Sequence, residues 1–400
     1  MSPWLRLATI SLICFSSVSS LTAAERKVIA TARGADLGLP YSPGILAGDF
    51  LYLAGALGLE PGTTTVSGDV KSQTRRTLDN LGELLKIAGM DFSHAVSVNV
   101  YLKDARLFEG MNEVYRTYFP KDPPARATIE ANLALPDALV EISMVAARPG
   151  VSRQSITPEG WRQPALPYSW GILAGDTLFV SGITSRNPKT LDPVPGDMGA
   201  QTRQVLENIG GILKAAGMDY RNIAASRVFI NDSRQFQPMN DAYRSFFPEA
   251  PPARATVEAP LMNPAFRAEI QCVAVKGERK VVVAAGAPRS QSPLSPAIQV
   301  GDRLFLSGML GRGPQGFAPG DVKAQTRQTL ENLRATLQAA GMDFSQVAET
   351  TVFLTDLRSF GSMNEVYREL LPTAPPARAT VGVPLMAPEA LVEIMMTAVK

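Results

Sequence analysis

One segment returns three times along the chain, and no other property of the sequence narrows the possible folds as much. Gly44-Ile45-Leu46-Ala47-Gly48-Asp49-Phe50-Leu51-Tyr52-Leu53-Ala54-Gly55 recurs from Gly171 to Gly182 and, more loosely, from Ala297 to Gly308. The Gly-Asp pairs at 48–49, 175–176 and 301–302 stand between apolar runs, which is the chemistry of a tight hairpin turn. The spacing far exceeds the roughly 20–50 residues of solenoid repeats, so each copy is a unit of domain size.

The rest of each copy follows one order. Asp69, Asp197 and Asp321 stand where a carboxylate caps a helix and suits its dipole. Leu78, Leu81, Leu85 and Ala88 then mark one helical face, repeated at 206, 209, 213 and 216 and at 330, 333, 337 and 340. Gly89, Gly217 and Gly341 fall where a helix-ending glycine belongs. A strand follows (95–102, 224–230, 347–354), then a second helix carrying Met111-Asn112-Glu113-Val114-Tyr115-Arg116 and its matches, stopped by Pro120, Pro248 and Pro372. Two extended segments close the copy, 125–131 and 138–147 in the first. The layout predicts an α+β fold with helices over one sheet face. Domains are expected at 25–149, 150–277 and 278–400.

Charge and rare residues exclude several classes. The 39 basic and 37 acidic residues leave a net charge of only +2, which argues against nucleic-acid binding through a basic face. One histidine (His94) and two cysteines (Cys14, Cys272) exclude a zinc site built from Cys and His. No P-loop, G-x-S-x-G or H-E-x-x-H motif occurs. Residues 1–24 carry one early positive charge, an apolar run from Leu7 to Phe15 and small residues up to Ala24. That order predicts a secretory signal, too short to span a membrane, and hence an exported chain with no membrane span once mature.

Polar residues that recur in all three copies are the candidates for chemistry. Pro-Pro-Ala-Arg-Ala-Thr contains Arg126 and Thr128, Arg254 and Thr256, Arg378 and Thr380. Fifteen residues beyond each arginine a glutamate sits inside an apolar strand: Glu141, Glu269 and Glu393. Burying a carboxylate there is costly without a partner. One reading is a cleft in which arginine clamps a substrate carboxylate and glutamate positions or deprotonates water. The other is a structural Arg–Glu pair tying two strands together. Asn112, Asn240 and Asn364 read as hydrogen-bonding groups on a helix face. Tyr41 and Tyr168 precede the hairpin and read as pocket-lining or end-capping residues. His94 and Cys272 have no counterparts in the other copies and read as a loop residue and a small core residue.

Taken together these motifs resemble the RidA (YjgF/YER057c/UK114) family, formerly called endoribonuclease L-PSP. The resemblance rests on Pro-Tyr-Ser before the hairpin, Ser-Gly ending it, Gln-Thr and Asn-Leu on the first helix, Met-Asn-x-x-Tyr on the second, and Pro-Ala-Arg-Ala-Thr followed by Val-Glu-Ile. It covers nearly all of residues 27–400, three times over. It implies a chorismate-mutase-like α+β fold, trimers whose sheets form a central barrel with clefts between subunits, and hydrolysis of enamines and imines of 2-keto acids without a cofactor. For this chain it implies a monomer closing a pseudo-trimeric barrel from its own three copies, with each site arginine facing residues of a different copy, and a small carboxylate as substrate or ligand.

The second copy resembles the family at every point: Tyr168, Ser181, Asn240, Arg254, Thr256 and Glu269. The first has Ala54 in place of the serine, and the third keeps Ser307 but has Leu294 in place of the tyrosine. The preferred expectation therefore sets Arg254 on the carboxylate, with Glu269, Ser181 and Thr256 placing water at the imine carbon. Glu141, Glu393 and Ser307 take the corresponding catalytic places in the other copies. The competing class is a module that binds a small carboxylate without turnover. RNA cleavage is disfavoured by the near-neutral charge.

Overall fold

A computed structural model describes residues 26–31, 38–60, 63–287 and 290–400. The expected signal at 1–24 lies outside the described residues. Copy one runs β1 (Lys27–Ile29), β2 (Gly44–Ala47), β3 (Phe50–Leu57), α1 (Val70–Ile87), β4 (Ala95–Leu102), α2 (Phe108–Tyr118), β5 (Ala125–Glu130), β6 (Asn132–Leu133) and β7 (Val140–Ala147). Copy two repeats this as β8 (Arg153–Ile156), β9 (Gly171–Ala174), β10 (Thr177–Thr184), α3 (Met198–Ala215), β11 (Ile223–Ile230), α4 (Phe236–Arg244), β12 (Ala253–Glu258) and β13 (Ala268–Val275). Copy three has β14 (Arg279–Val282), β15 (Ala297–Val300), β16 (Arg303–Leu310), a small hairpin β17 (Arg312–Gly313) and β18 (Gly316–Phe317), α5 (Val322–Ala339), β19 (Val347–Leu354), α6 (Phe360–Leu370), β20 (Ala377–Gly382) and β21 (Val392–Val399).

Local chemistry sets these elements. Gly48, Gly175 and Gly301 turn the hairpins at φ of 54°, 58° and 58°, the left-handed region that glycine enters without steric cost. Asp69, Asp197 and Asp321 cap α1, α3 and α5 by accepting from Ser72 N, Ala200 N, and Lys323 and Ala324 N. Strands β1, β8 and β14 were not foreseen. They are edge strands of three or four residues, each opening on a basic residue and burying only its last one, so no apolar alternation announces them.

The strand order in copy one is β1-β2-β3-β7-β4-β5, and copies two and three match it. The glutamate strand is central, while the arginine strand β5 lies at the edge, parallel to β4. Its parallel pairing needs a crossover, and α2 supplies it. Leu78, Leu81 and Leu85 of α1 pack with Val98, Val100, Ile142 and Met144 under the helices, and each other copy builds the same core.

The opposite sheet faces meet across copies. Tyr101 and Ile129 of copy one, Phe229 and Val257 of copy two, and Phe353 and Val381 of copy three belong to a single buried cluster. A second cluster joins Phe50, Phe179 and Val399. Main-chain contacts run the same way: Ile129 bridges Leu261, Val257 bridges Leu385, and Val381 pairs with Leu133 as β6 joins the edge of the third sheet.

A shared core predicts shared unfolding. Calorimetry is expected to show one transition for the three copies, and Phe229→Ala is expected to lower stability by about 3–5 kcal/mol while shifting that whole transition. Three separable transitions, with only one displaced by the substitution, would contradict this.

Candidate active site at the junctions between copies

The arginine is held by a helix face of its own copy. Phe108, Asn112 and Tyr115 are spaced i, i+4 and i+7 on α2 and present one stripe to β5. The Arg126 guanidinium carbon lies 4.7 Å from the Tyr115 ring centre and 5.7 Å from that of Phe108. Arg254 is set likewise over Tyr243 (4.7 Å) and Phe236 (5.9 Å), and Arg378 over Tyr367 (4.6 Å) and Phe360 (5.7 Å). Such stacking replaces lost hydration of a buried cation. Arg254 and Arg378 each donate from Nη2 to Asn240 and Asn364 Oδ1 at 2.7 Å. Arg126 has no such bond, and both polar side-chain atoms of Asn112 are buried without a partner.

The glutamate is seated by a bulge in the neighbouring strand. The register of β3, β10 and β16 slips between Leu53 and Ala56, Val180 and Ile183, and Leu306 and Met309. The slip holds Ala54-Gly55, Ser181-Gly182 and Ser307-Gly308 out of the ladder. A Cβ added at Gly182 would stand 1.9 Å from Glu269 Oε1, and those at Gly55 and Gly308 would meet Glu141 and Glu393 in the same way. The bare backbone is what leaves room for each carboxylate.

These two halves meet across copies. Arg126 N donates to Ser181 Oγ at 2.8 Å, and the Thr128 backbone N–H reaches the Glu269 carboxylate. Arg254 N donates to Ser307 Oγ at 2.8 Å, and the Thr256 N–H serves Glu393. The Thr380 N–H serves Glu141, while Ala54 leaves Arg378 N no matching hydroxyl. Ser181 and Ser307 also donate to the carbonyls of Ser169 and Ser295, so each hydroxyl ties two copies and keeps one lone pair. Tyr168 lies 5.9 Å from Arg126, and Tyr41 lies 5.5 Å from Arg378.

Each site arginine faces a different copy, as expected, while the structural Arg–Glu pair and the membership of the preferred site are corrected. No arginine pairs with the glutamate of its own copy: β7 lies between β3 and β4, and β5 lies beyond β4, so Arg126 faces outward to copy two. For the same reason Arg254 and Glu269 do not share a site. Arg254 meets Glu393, and Glu269 meets Arg126. The full set of family residues thus stands at the first junction: Arg126, Thr128 and Asn112 from copy one, with Tyr168, Ser181 and Glu269 from copy two. The second junction (Arg254, Thr256, Asn240, Ser307, Glu393) lacks the tyrosine, and the third (Arg378, Thr380, Asn364, Tyr41, Glu141) lacks the serine.

Burial governs the electrostatics. The three arginines are 4%, 1% and 3% exposed and the three glutamates 4%, 7% and 6%, in chain order. Burial pushes the carboxyl of Glu269 up to about 7 and those of Glu141 and Glu393 up to about 8, against the pull of the facing arginine and threonine N–H. Burial lowers the Arg254 guanidinium to about 10 and moves Arg126 and Arg378 in the same direction. Among the described residues no ion pair joins Arg126, Arg254 or Arg378 to Glu269, Glu393 or Glu141; the Arg227–Glu349 pair between copies two and three lies apart from these groups. Buried polar atoms without partners concentrate at the first junction: Arg126 Nη1, Asn112 Nδ2 and Oδ1, Tyr115 OH and Thr128 Oγ1. The second retains Arg254 Nε and Nη1 with Thr256 Oγ1, and the third only Thr380 Oγ1. Such atoms are costly unless a ligand or water completes them.

The aromatic stripe and the bulge glycines were missed as site residues, though the i, i+4, i+7 spacing on the second helix was there to find. Other residues lie elsewhere. His94 closes an exposed turn with Asp91, and Cys272 is buried in the core of copy two with its thiol pushed up by burial. Gln73, Gln201 and Gln325 hold the loop before each glutamate strand by accepting from Leu139, Arg267 and Leu391 N. Among the described residues no group of three or more His, Cys, Asp and Glu is placed to hold a metal ion, and no helix is long and apolar enough to cross a membrane.

Several known proteins share this pattern. A RutC family protein of Sulfurisphaera tokodaii is 42% identical over 110 residues, 27% of this chain and 88% of that protein. The 2-iminobutanoate/2-iminopropanoate deaminase of Bos taurus is 37% identical over 111 residues, 28% of this chain and 81% of that protein. A crystal structure of chorismatase, 15% identical, overlays 85% of this chain and 96% of its own with a TM-score of 0.51, a likeness of fold alone. The sequence model of the family described as endoribonuclease L-PSP matches at residues 36–148, 161–276 and 284–400. The chain is therefore a member of the endoribonuclease L-PSP family, carrying three RidA-like copies in tandem.

Proposed function

We propose that this chain is an exported deaminase that hydrolyses imines and enamines of 2-keto acids at the junctions between its copies. The observation that carries the reading is the first junction, where a stacked arginine, an unpaired carboxyl poised near neutrality and unsatisfied polar atoms surround one buried place. Arg126 holds the substrate carboxylate. Ionised Glu269 takes a proton from water as its oxygen attacks the imine carbon, and hands that proton to the nitrogen to give a neutral carbinolamine. Glu269 then takes the carbinolamine hydroxyl proton and passes it to the amine, so that C=O forms as the C–N bond breaks and ammonia leaves. The sum is imine plus water giving keto acid plus ammonia. Ser181 and Ser307 fix the arginine strand from across the junction, and Thr128 steadies the carboxylate.

The same reading has the three sheets close into a pseudo-trimeric barrel within one chain. Its support is the head-to-tail series of contacts from copy one to two, two to three and three to one. Export rests on the charge, apolar and small-residue order of residues 1–24. Outside the cytoplasm, oxidation of amino acids is the class of reaction that supplies such imines.

Four outcomes follow. With imines generated in place by an amino-acid oxidase, the protein is expected to accelerate keto-acid release, and Arg126→Ala to remove most of that gain. Ligand binding without acceleration would instead make it a carboxylate-binding module. Glu269→Gln, which cannot carry the proton, is expected to cost the first cleft about 10²–10⁴-fold and to reduce total activity more than Glu393→Gln or Glu141→Gln. Because the base acts ionised, kcat/KM at this cleft is expected to rise with pH through about 7 and then level. A rate that falls over that range would assign the carboxyl only an acid role. Light scattering is expected to give the mass of one chain, and a three-chain mass persisting on dilution would overturn closure within the chain.

A further inference from the structure

A second cation stands beside the first junction and acts on its glutamate, as no second arginine does at the others. Thr184 lies directly across the ladder from Glu269, and Arg186 follows two residues later. Its guanidinium stacks on the Phe266 ring at 4.7 Å, and Nη1 donates to Leu191 O at 2.8 Å. Asn208 Nδ2 donates to Arg186 O at 2.8 Å and so pins the main chain. The side chain is half-buried, and among the described residues no carboxylate pairs with it. Its field reaches both Glu269 and Tyr168, which places it on the same cleft.

The platform and the cation occur together. Where copy two has Phe266, the others have Ala138 and Ala390, and where it has Arg186, copy one has Leu59. Copy three does carry Arg312, but this residue stacks on Phe317 of the small β17–β18 hairpin, and only Arg254 among the arginines acts on Glu393. Phe266 belongs to the core shared by the copies and is 2% exposed, so it is a fixed support. A held, unpaired guanidinium beside an arginine that already takes one carboxylate is suited to a second anionic group.

We infer that the Arg126–Glu269 cleft selects 2-keto-acid imines bearing a second carboxylate, with Arg186 as the residue that reads the distal group. This rests on the imine reading for its substrate, though the recognition of a dicarboxylate does not depend on turnover. Arg186 acts on specificity, and Phe266 positions it.

The test compares two probes that differ only at the far end: 2-oxoglutarate, and 2-oxopentanoate, which has a methyl group where the former has its distal carboxylate. Titration calorimetry on the full chain is expected to show one site preferring the dicarboxylate by about ten- to hundredfold. Arg186→Leu, the residue of copy one, is expected to bring that ratio near one, and Arg186→Lys to restore part of it. A melting temperature equal to wild type shows that each variant is folded. A ratio near one in the wild type, or one unchanged in Arg186→Leu, would overturn the inference. Hydrolysis of oxidase-generated imines separates the two readings. Turnover without dicarboxylate preference sinks this inference and leaves the deaminase standing. A preserved binding ratio without turnover of any imine sinks the deaminase and leaves the dicarboxylate site.

Discussion

Placing a guanidinium and a carboxylate in a seam between two sheets, out of water and out of contact with each other, is the constraint that the remaining structure answers. Neither charge has an ion-pair partner to offset its desolvation, so each is supported separately. The arginine rests on two rings and, in two copies, an asparagine; the carboxylate accepts a threonine N–H beside a strand with no side chain at the point of approach. The supports come from different copies, and the site exists only where two copies meet. The apolar cluster made of all three sheets is thus what keeps the two halves of each site in register.

Much of this was legible from residues alone. Hairpin glycines, helix-capping aspartates and the leucine spacing of the first helix act over a few residues, and each appeared where local chemistry required it. The buried glutamates and the repeated arginines were likewise visible as polar points in apolar runs. That each arginine faces a different copy followed from the tandem repeat; what the sequence did not disclose was which glutamate each arginine meets. Arg254 and Glu269 belong to one copy and lie close in sequence, yet strand order sends them to different seams. Strand order is settled by packing over long separations, and no local preference records it. Strands β1, β8 and β14 escaped notice for the opposite reason, since short edges that bury only their last residue carry no periodic signal.

Fusion gives the three sites separate histories. In an assembly of identical subunits a substitution changes every site at once. Here Ala54 alters one junction and Leu294 another, while Tyr168, Ser181 and Arg186 remain together at the first. The buried polar atoms follow the same gradient, most of them unpartnered where the residue set is complete and fewest where the serine is lost. One chain can thereby keep a fully furnished cleft beside two simplified ones.

The short strand that copy one lends to the sheet of copy three has a consequence for how the chain acquires its shape. That pairing, like the bond from Ser42 Oγ to the Pro375 carbonyl 333 positions away, joins the first copy to the last. Contacts of such separation form late, because loop-closure entropy opposes them until intervening structure is in place. During synthesis the first copy emerges with an apolar sheet face that copies two and three cover together, and with the edge of β6, whose partner strand lies in the last copy. Until then that edge is open to the wrong neighbour, including the matching edge of another growing chain. The waiting time for the third copy, more than the strength of any finished seam, sets the hazard of misassembly.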